Sequence, residues 1–250
     1  MNCINKMIMA LTLISTGCAG EKSDTAEDIP VLDSVCDEVA EVPCVDQMIL
    51  DLGLQDDKVA EGSVETSTDG EDFVTEVDAR AGGMMNAASN PWVYVKLTRA
   101  GTEKVEIDDE TALESMDWDL AFKRFNIRVN SGTSGPSCVG SDALSNGDYA
   151  SLSDVPADVE YSYDEFYSAE CSFIDDGSGL ENPALAMSDW WTYDSCVATS
   201  LIPHVLQLAD GSVVKLVVEE YYGSGQDNCN SGGGMGSDSA LITFRWAHLN

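Results

Sequence analysis

The chain has 250 residues, 44 % of them hydrophobic and 23 % charged, enough for a real core in one large domain or two small ones. Twelve Lys and Arg stand against 45 Asp and Glu, a formal net charge of -33. Such a field repels phosphate backbones and anionic lipid surfaces, so it argues against a nucleic-acid partner and for a soluble, acid-rich surface.

Residues 1–17 read as an export signal: Lys6 supplies the positive start, Met7 to Ile14 (MIMALTLI) is apolar, and small residues lead to Cys18. The apolar run is too short to span a bilayer as a mature helix. A small residue before Cys18 resembles a bacterial lipobox, with Ser15 where that pattern has Leu, so Cys18 is the expected lipidation site and the only expected tie to a membrane. Residues 18–74 read as a lipid-anchor region and acidic linker. The stretch 21–78 carries 19 acids against Lys22 and Lys58, and QDDKVAEGSVETSTDGED (55–72) is polar and nearly free of aromatics. Within it, Val45 to Leu54 suits a short helix or strand, and Cys36 and Cys44 are close enough to close one small loop. Cys138, Cys171, Cys196 and Cys229 complete a set of six, an even number that in an exported chain indicates disulfides, with 15 possible pairings. No C-x-x-C pair occurs to suggest zinc.

From about residue 75 the texture becomes that of strands. WVYVKL (92–97) alternates, a turn is expected at 100–102, and KVEI (104–107) continues as strand. WDLAFKRFNIRV (118–129) is apolar on both pleat faces and reads as one buried strand, bent midway. A Gly- and Ser-rich turn follows at 130–137, a short helix is possible at 160–170, and strands are expected at 204–208, 213–222 and 240–247. ADGS (209–212) makes a hairpin connection and the Gly-rich 223–239 a long loop. The predicted fold is all-β, with residues 75–250 as its domain.

The run WDLAFKRFNIRVNSGTSG (118–135) resembles the signature strand and turn of the HmuY family. The later order agrees: Trp190 and Trp191, a hairpin with a central Asp-Gly, Tyr221 and Tyr222, and Phe244-Arg245-Trp246 near the end; VDARAGG (77–83) resembles the domain start. The resemblance implies HmuY-like antiparallel sheets with long loops, in an extracytoplasmic lipoprotein of the outer membrane, surface-exposed or secreted. It also implies that haem or another porphyrin is captured through axial His or Met and passed to a TonB-dependent outer-membrane receptor, with no enzymatic step.

A haem site needs axial donors, an apolar slot and polar groups for the propionates. His204 opens a strand and His248 sits near the end. Met84, Met85, Met187 and Met235 stand in irregular segments. Of these, Met187, just before the rings of Trp190 and Trp191, is the leading axial and metal candidate, with Met235 on a possible mobile arm. Lys123, Arg124 and Arg128 could meet propionates, or form internal pairs with Asp117 or Asp119. The family places a ligand soon after the signature turn, yet residues 136–160 hold neither His nor Met, and Cys138 there is more naturally a disulfide partner. Asp175, Asp176, Ser178 and Glu181 could hold calcium but lack the spacing of a helix-loop-helix site. No G-x-S-x-G, H-E-x-x-H or phosphate loop supports catalysis. The alternatives to haem capture are a structural or adhesive surface module on the same fold and, third, a secreted hydrolase.

Overall fold

The computed structural model describes residues 36–179 and 182–250. The expected signal (1–17), the lipidation site Cys18 and Glu181 lie outside the described residues. In chain order the elements are α1 (Val45–Leu52), β1 (Val64–Asp69), β2 (Asp72–Asp78), β3 (Val93–Thr98), β4 (Gly101–Val105), α2 (Asp109–Ala112), β5 (Leu120–Lys123), β6 (Asn126–Val129) and β7 (Gly140–Ala143). There follow β8 (Trp191–Tyr193), β9 (Val197–Thr199), β10 (His204–Gln207), β11 (Val213–Tyr222), α3 (Asp227–Asn230) and β12 (Ser239–His248).

All the strand pairs are antiparallel, as the all-β prediction requires. One sheet has the order β1-β2-β12-β11-β10-β7 and a second β4-β3-β5-β6; β8 and β9 form a small hairpin. Alternation along the strands sorts the apolar residues into two cores. Val93, Val95 and Leu97 of β3 and Leu120 and Phe122 of β5 join Leu216, Ile242, Phe244 and Trp246 of the larger sheet in the main core. Across it the rings of Phe122 and Phe244 stack with centroids 5.5 Å apart. The opposite face of the smaller sheet carries Trp92, Tyr94, Trp118 and Ala121, which pack with Val42, Met48 and Leu54 from the N-terminal segment and with Phe166 and Leu185.

Four sequence expectations are corrected. The run 118–129 is two strands rather than one bent strand: β5 and β6 pair with Lys123 opposite Asn126, and Arg124 makes the reversal at φ 56°. Both pleat faces are apolar because the smaller sheet has a core on each side. The polar stretch 55–72 is only partly a linker. Residues 64–78 form a hairpin whose second strand pairs with β12, and β1 is polar because it is an exposed sheet edge. No helix forms at 160–170; isolated bridges Ser141–Ser162, Glu165–Ala184 and Tyr167–Phe173 hold that segment extended. Cys36 and Cys44 do not close on each other. The disulfides are Cys36–Cys138, Cys44–Cys171 and Cys196–Cys229, so the first two bind the N-terminal segment across 102 and 127 residues to the domain. All six expected cysteines are thereby paired. The segment 45–54 forms the helix α1, whose Met48 is fully buried.

Candidate functional site

The slot expected around Met187 is filled by the protein itself. Met187 is 1 % exposed and belongs to the main core. Trp190 donates its indole N–H to the Phe125 carbonyl at 3.2 Å. The Trp191 ring lies 4.8 Å from that of Phe125, and Trp190 lies 6.1 Å from Tyr221. These aromatics close on one another in the same core as Met187. Met235 stands exposed in the loop before β12. His204 is buried within β10 and His248 ends β12.

Arg128 is also withdrawn from any surface. It is fully buried, with its guanidinium 4.8 Å from the Trp92 ring, 5.5 Å from Trp118 and 5.8 Å from Phe166. It donates from Nε to Ser134 Oγ at 2.9 Å and from Nη2 to the Ser134 carbonyl at 2.5 Å. Asp109 and Asp164 supply the opposing charge. Asp109 accepts from the backbone N–H of Gln55 and Trp92 and from the Tyr94 hydroxyl. Asp164 accepts from the N–H of Val129 and Ala186, and burial pushes its pKa up to about 7. Lys123 is buried beside them, with its pKa pulled down to about 8 by burial. The basic middle of the signature is therefore mostly an internal network that fixes β6 under the N-terminal segment. Neither internal pair proposed from sequence forms: Asp119 accepts from the Leu97 N–H, and Asp117 lies 4.0 Å from Lys96.

Arg124 is the exception. Its place at the hairpin turn points its guanidinium outward, where it donates to the Ser239 carbonyl at 3.2 Å and the Ser239 hydroxyl at 3.0 Å. It lines an open cleft of about 680 Å³, within the size range of small-molecule sites. The cleft runs between the Ala60–Gly62 stretch, the Asp78–Met84 loop and the β5–β6 turn. Its apolar wall is Pro91, Val93 and Phe122. Two further cations line it. Arg80 is held by Asp78 at 2.6 Å, and that hydrogen bond raises the Arg80 pKa. Lys58 donates to Asn90 Oδ1 at 2.7 Å. Ala81, Gly82 and Gly83 all take positive φ (48°, 74° and 89°), a left-handed run that glycine tolerates and that sets out Met84, 76 % exposed, on the cleft. The VDARAGG segment and Arg124 thus meet, though the sequence separates them by some forty residues. Lys58 and Arg80 escaped the sequence reading. Their signal was the rarity of any cation in 21–78 and the Gly-Gly after Arg80.

The acidic group at 175–178 makes local turns: Asp175 accepts from the Gly177 N–H and Asp176 from the Ser178 N–H. No group of three or more potential metal-binding His, Cys, Asp or Glu occurs among the described residues. Nor is any described helix long and apolar enough to cross a membrane.

Comparison with known proteins gives one family match: the model described as HmuY protein aligns with residues 88–232. A solved structure from Bacteroides vulgatus ATCC 8482, described as HmuY-like and haem-binding, is 16 % identical with a TM-score of 0.44, covering 72 % of this chain and 93 % of that one. A lipoprotein structure from Bacteroides fragilis NCTC 9343 is 17 % identical, TM-score 0.44, covering 72 % and 91 %. The apo HmuY analog of Tannerella forsythia is 14 % identical, TM-score 0.38, covering 78 % and 100 %. No curated protein matches.

Proposed function

The chain belongs to the HmuY family, and on that premise we propose that it is a haem-binding lipoprotein of the bacterial cell envelope, anchored through Cys18, which captures haem and passes it to a TonB-dependent outer-membrane receptor. The observation that carries this reading is the family match across 88–232, which contains the whole signature 118–135. Three disulfides among the described residues support an oxidising, extracytoplasmic setting.

We place the cargo in the Arg124 cleft rather than at Met187. Haem supplies, when bound, an iron that takes soft sulfur or imidazole donors in its axial positions. The residues of the cleft suit such a group on three counts. Met84 offers an exposed thioether, Pro91, Val93 and Phe122 offer an apolar wall, and Lys58 and Arg124 offer charge-assisted donors for carboxylates, while Arg80 is paired with Asp78 and Glu61 and Asp238 oppose them on the same lining. Met84 is the one His or Met among the described lining residues, so it would be the side chain that holds the iron there. Met187 would have to leave the core to serve.

Titration with haemin tests this directly. A saturating Soret shift is expected at one equivalent. Met84→Ala should change the reduced spectrum, Arg124→Ala should weaken binding, and Met187→Leu should leave both unaltered. If only Met187→Leu alters the spectrum, the cargo belongs in the core and the cleft is wrong. Merely additive absorbance in both oxidation states removes haem altogether. It would favour a surface module on the same fold, a reading that gains from Cys138, the sulfur just after the signature turn, being tied to Cys36.

A further inference from the structure

A second depression, of about 590 Å³, lies against the turn that ends the signature. One side is the Ser131–Cys138 turn and the other the extended Tyr163–Ser168 segment, and it shares no residue with the Arg124 cleft. Its chemistry is the reverse of that cleft. No Lys, Arg or His is among the described residues lining it. Tyr163 is 45 % exposed, and the carboxylate of Glu165, an exposed residue, has no ion-pair partner among the described residues.

The wall also holds an orphan. Ser131 is 1 % exposed, and its hydroxyl has no hydrogen-bond partner. Three of its polar neighbours are engaged. Thr133 Oγ1 accepts from the Phe166 N–H, Tyr167 donates to Asp51, and Ser168 donates to Glu170. A buried hydroxyl without a partner is uncommon in folded proteins and calls for a reason. Gly132 holds the turn in place: at φ 60°, any Cβ there would stand 2.2 Å from the Asp164 carbonyl oxygen.

An anion has no donor side chain of positive charge in this depression, and a purely apolar guest would desolvate Glu165 without a partner. A cation matches every feature. An exposed aromatic face attracts it, an unpaired carboxylate neutralises it, and a hydroxyl lone pair accepts from it. We propose that this depression binds the ammonium group of a small organic amine, seated against Tyr163 and Glu165 with an N–H donated to Ser131.

The experiment is calorimetric titration of the oxidised protein with 1,5-diaminopentane at about 150 mM salt, where diffuse attraction to the acidic surface is screened within about 8 Å. Saturable binding at one equivalent is expected, with none for the neutral 1,5-pentanediol. Glu165→Gln should weaken binding about tenfold and Tyr163→Ala several-fold. Both residues are exposed, so both variants should fold. A control at the distant, exposed Glu76, Glu76→Gln, should leave binding unchanged. The proposal is overturned if the diamine fails to saturate, if the diol binds equally well, or if Glu76→Gln weakens binding as much as Glu165→Gln. Because the two depressions share no residue, loss of amine binding leaves the haemin result standing, and the reverse.

Discussion

Replacing His204 by Leu removes an imidazole that the fold has sealed from water. His204 is fully buried in β10, its Nδ1 lies 3.0 Å from the Ser141 hydroxyl, and its Nε2 has no partner. Burial alone lowers its pKa to about 4, against 6.5 in the unfolded chain. The unfolded state therefore binds more protons between those values, so this residue makes stability fall as pH falls from about 6.5 toward 4. At pH 4.5 the unfolded imidazole is almost fully charged and the folded one mostly neutral, a linkage penalty of roughly 2–3 kcal/mol that is close to zero at pH 7.5. His204→Leu abolishes that penalty and leaves the Ser141 hydroxyl unpaired at both pH values, at ~1 kcal/mol. Urea unfolding of both proteins with disulfides intact should show the variant gaining about 2–3 kcal/mol on the wild type between pH 7.5 and 4.5. A difference that stays constant within about 0.5 kcal/mol would mean that the folded imidazole accepts its proton freely and that burial does not govern it.

Two further perturbations probe the signature. Arg128→Ala should cost ~3–5 kcal/mol in urea unfolding, since it leaves the Ser134 carbonyl and the two carboxylates around it without their cation, whereas Arg128→Met, which keeps contact with Trp92 and Trp118, should cost clearly less. Equal losses would show that the contact with the Trp rings contributes nothing beyond the charge. Gly132→Ala should destabilise by ~1–3 kcal/mol or more, because the turn needs φ 60° and the added carbon meets the Asp164 carbonyl. A neutral result would show that the turn relaxes.

The strands of the larger sheet were legible because β11 and β12 are long and rich in β-branched and aromatic residues. The β5–β6 reversal was not. It occurs at Arg124 and Phe125 with no Gly or Asn to announce it, and the guanidinium that holds the turn bonds to Ser239, 115 residues away. The edge strand β1 reads VETSTD, five of its six residues exposed, so it lacks the alternation that marks a half-buried strand. At 160–170 the sequence allowed a short helix, but the bonds of Asp164 to the Val129 and Ala186 N–H override local preference. The site was half legible. Arg124 and Met84 were marked by type, while the burial of Arg128 and Met187 depends on the N-terminal segment and on the aromatic packing around Trp190, which no local pattern encodes.

The same packing bears on where the folded body begins, beyond the matched residues 88–232. Residues 36–78 contribute to both cores. Met48 and Leu54 cover the Trp92 and Trp118 face, and Val77 lies in the main core. Phe73 stacks on Trp246 at 4.6 Å, and Thr75 accepts from the Trp246 indole at 3.3 Å. β2 also pairs with β12 from Leu241 to Trp246, so its loss bares the edge of a long, apolar strand. Removal further breaks two of the three disulfides. A fragment spanning 79–250 should therefore associate through that edge, eluting as oligomers with collapsed near-ultraviolet dichroism, whereas 36–250 should elute as a folded species. A monomeric 79–250 fragment with the aromatic dichroism of the longer one would show that the N-terminal hairpin and helix merely rest on a body already complete without them.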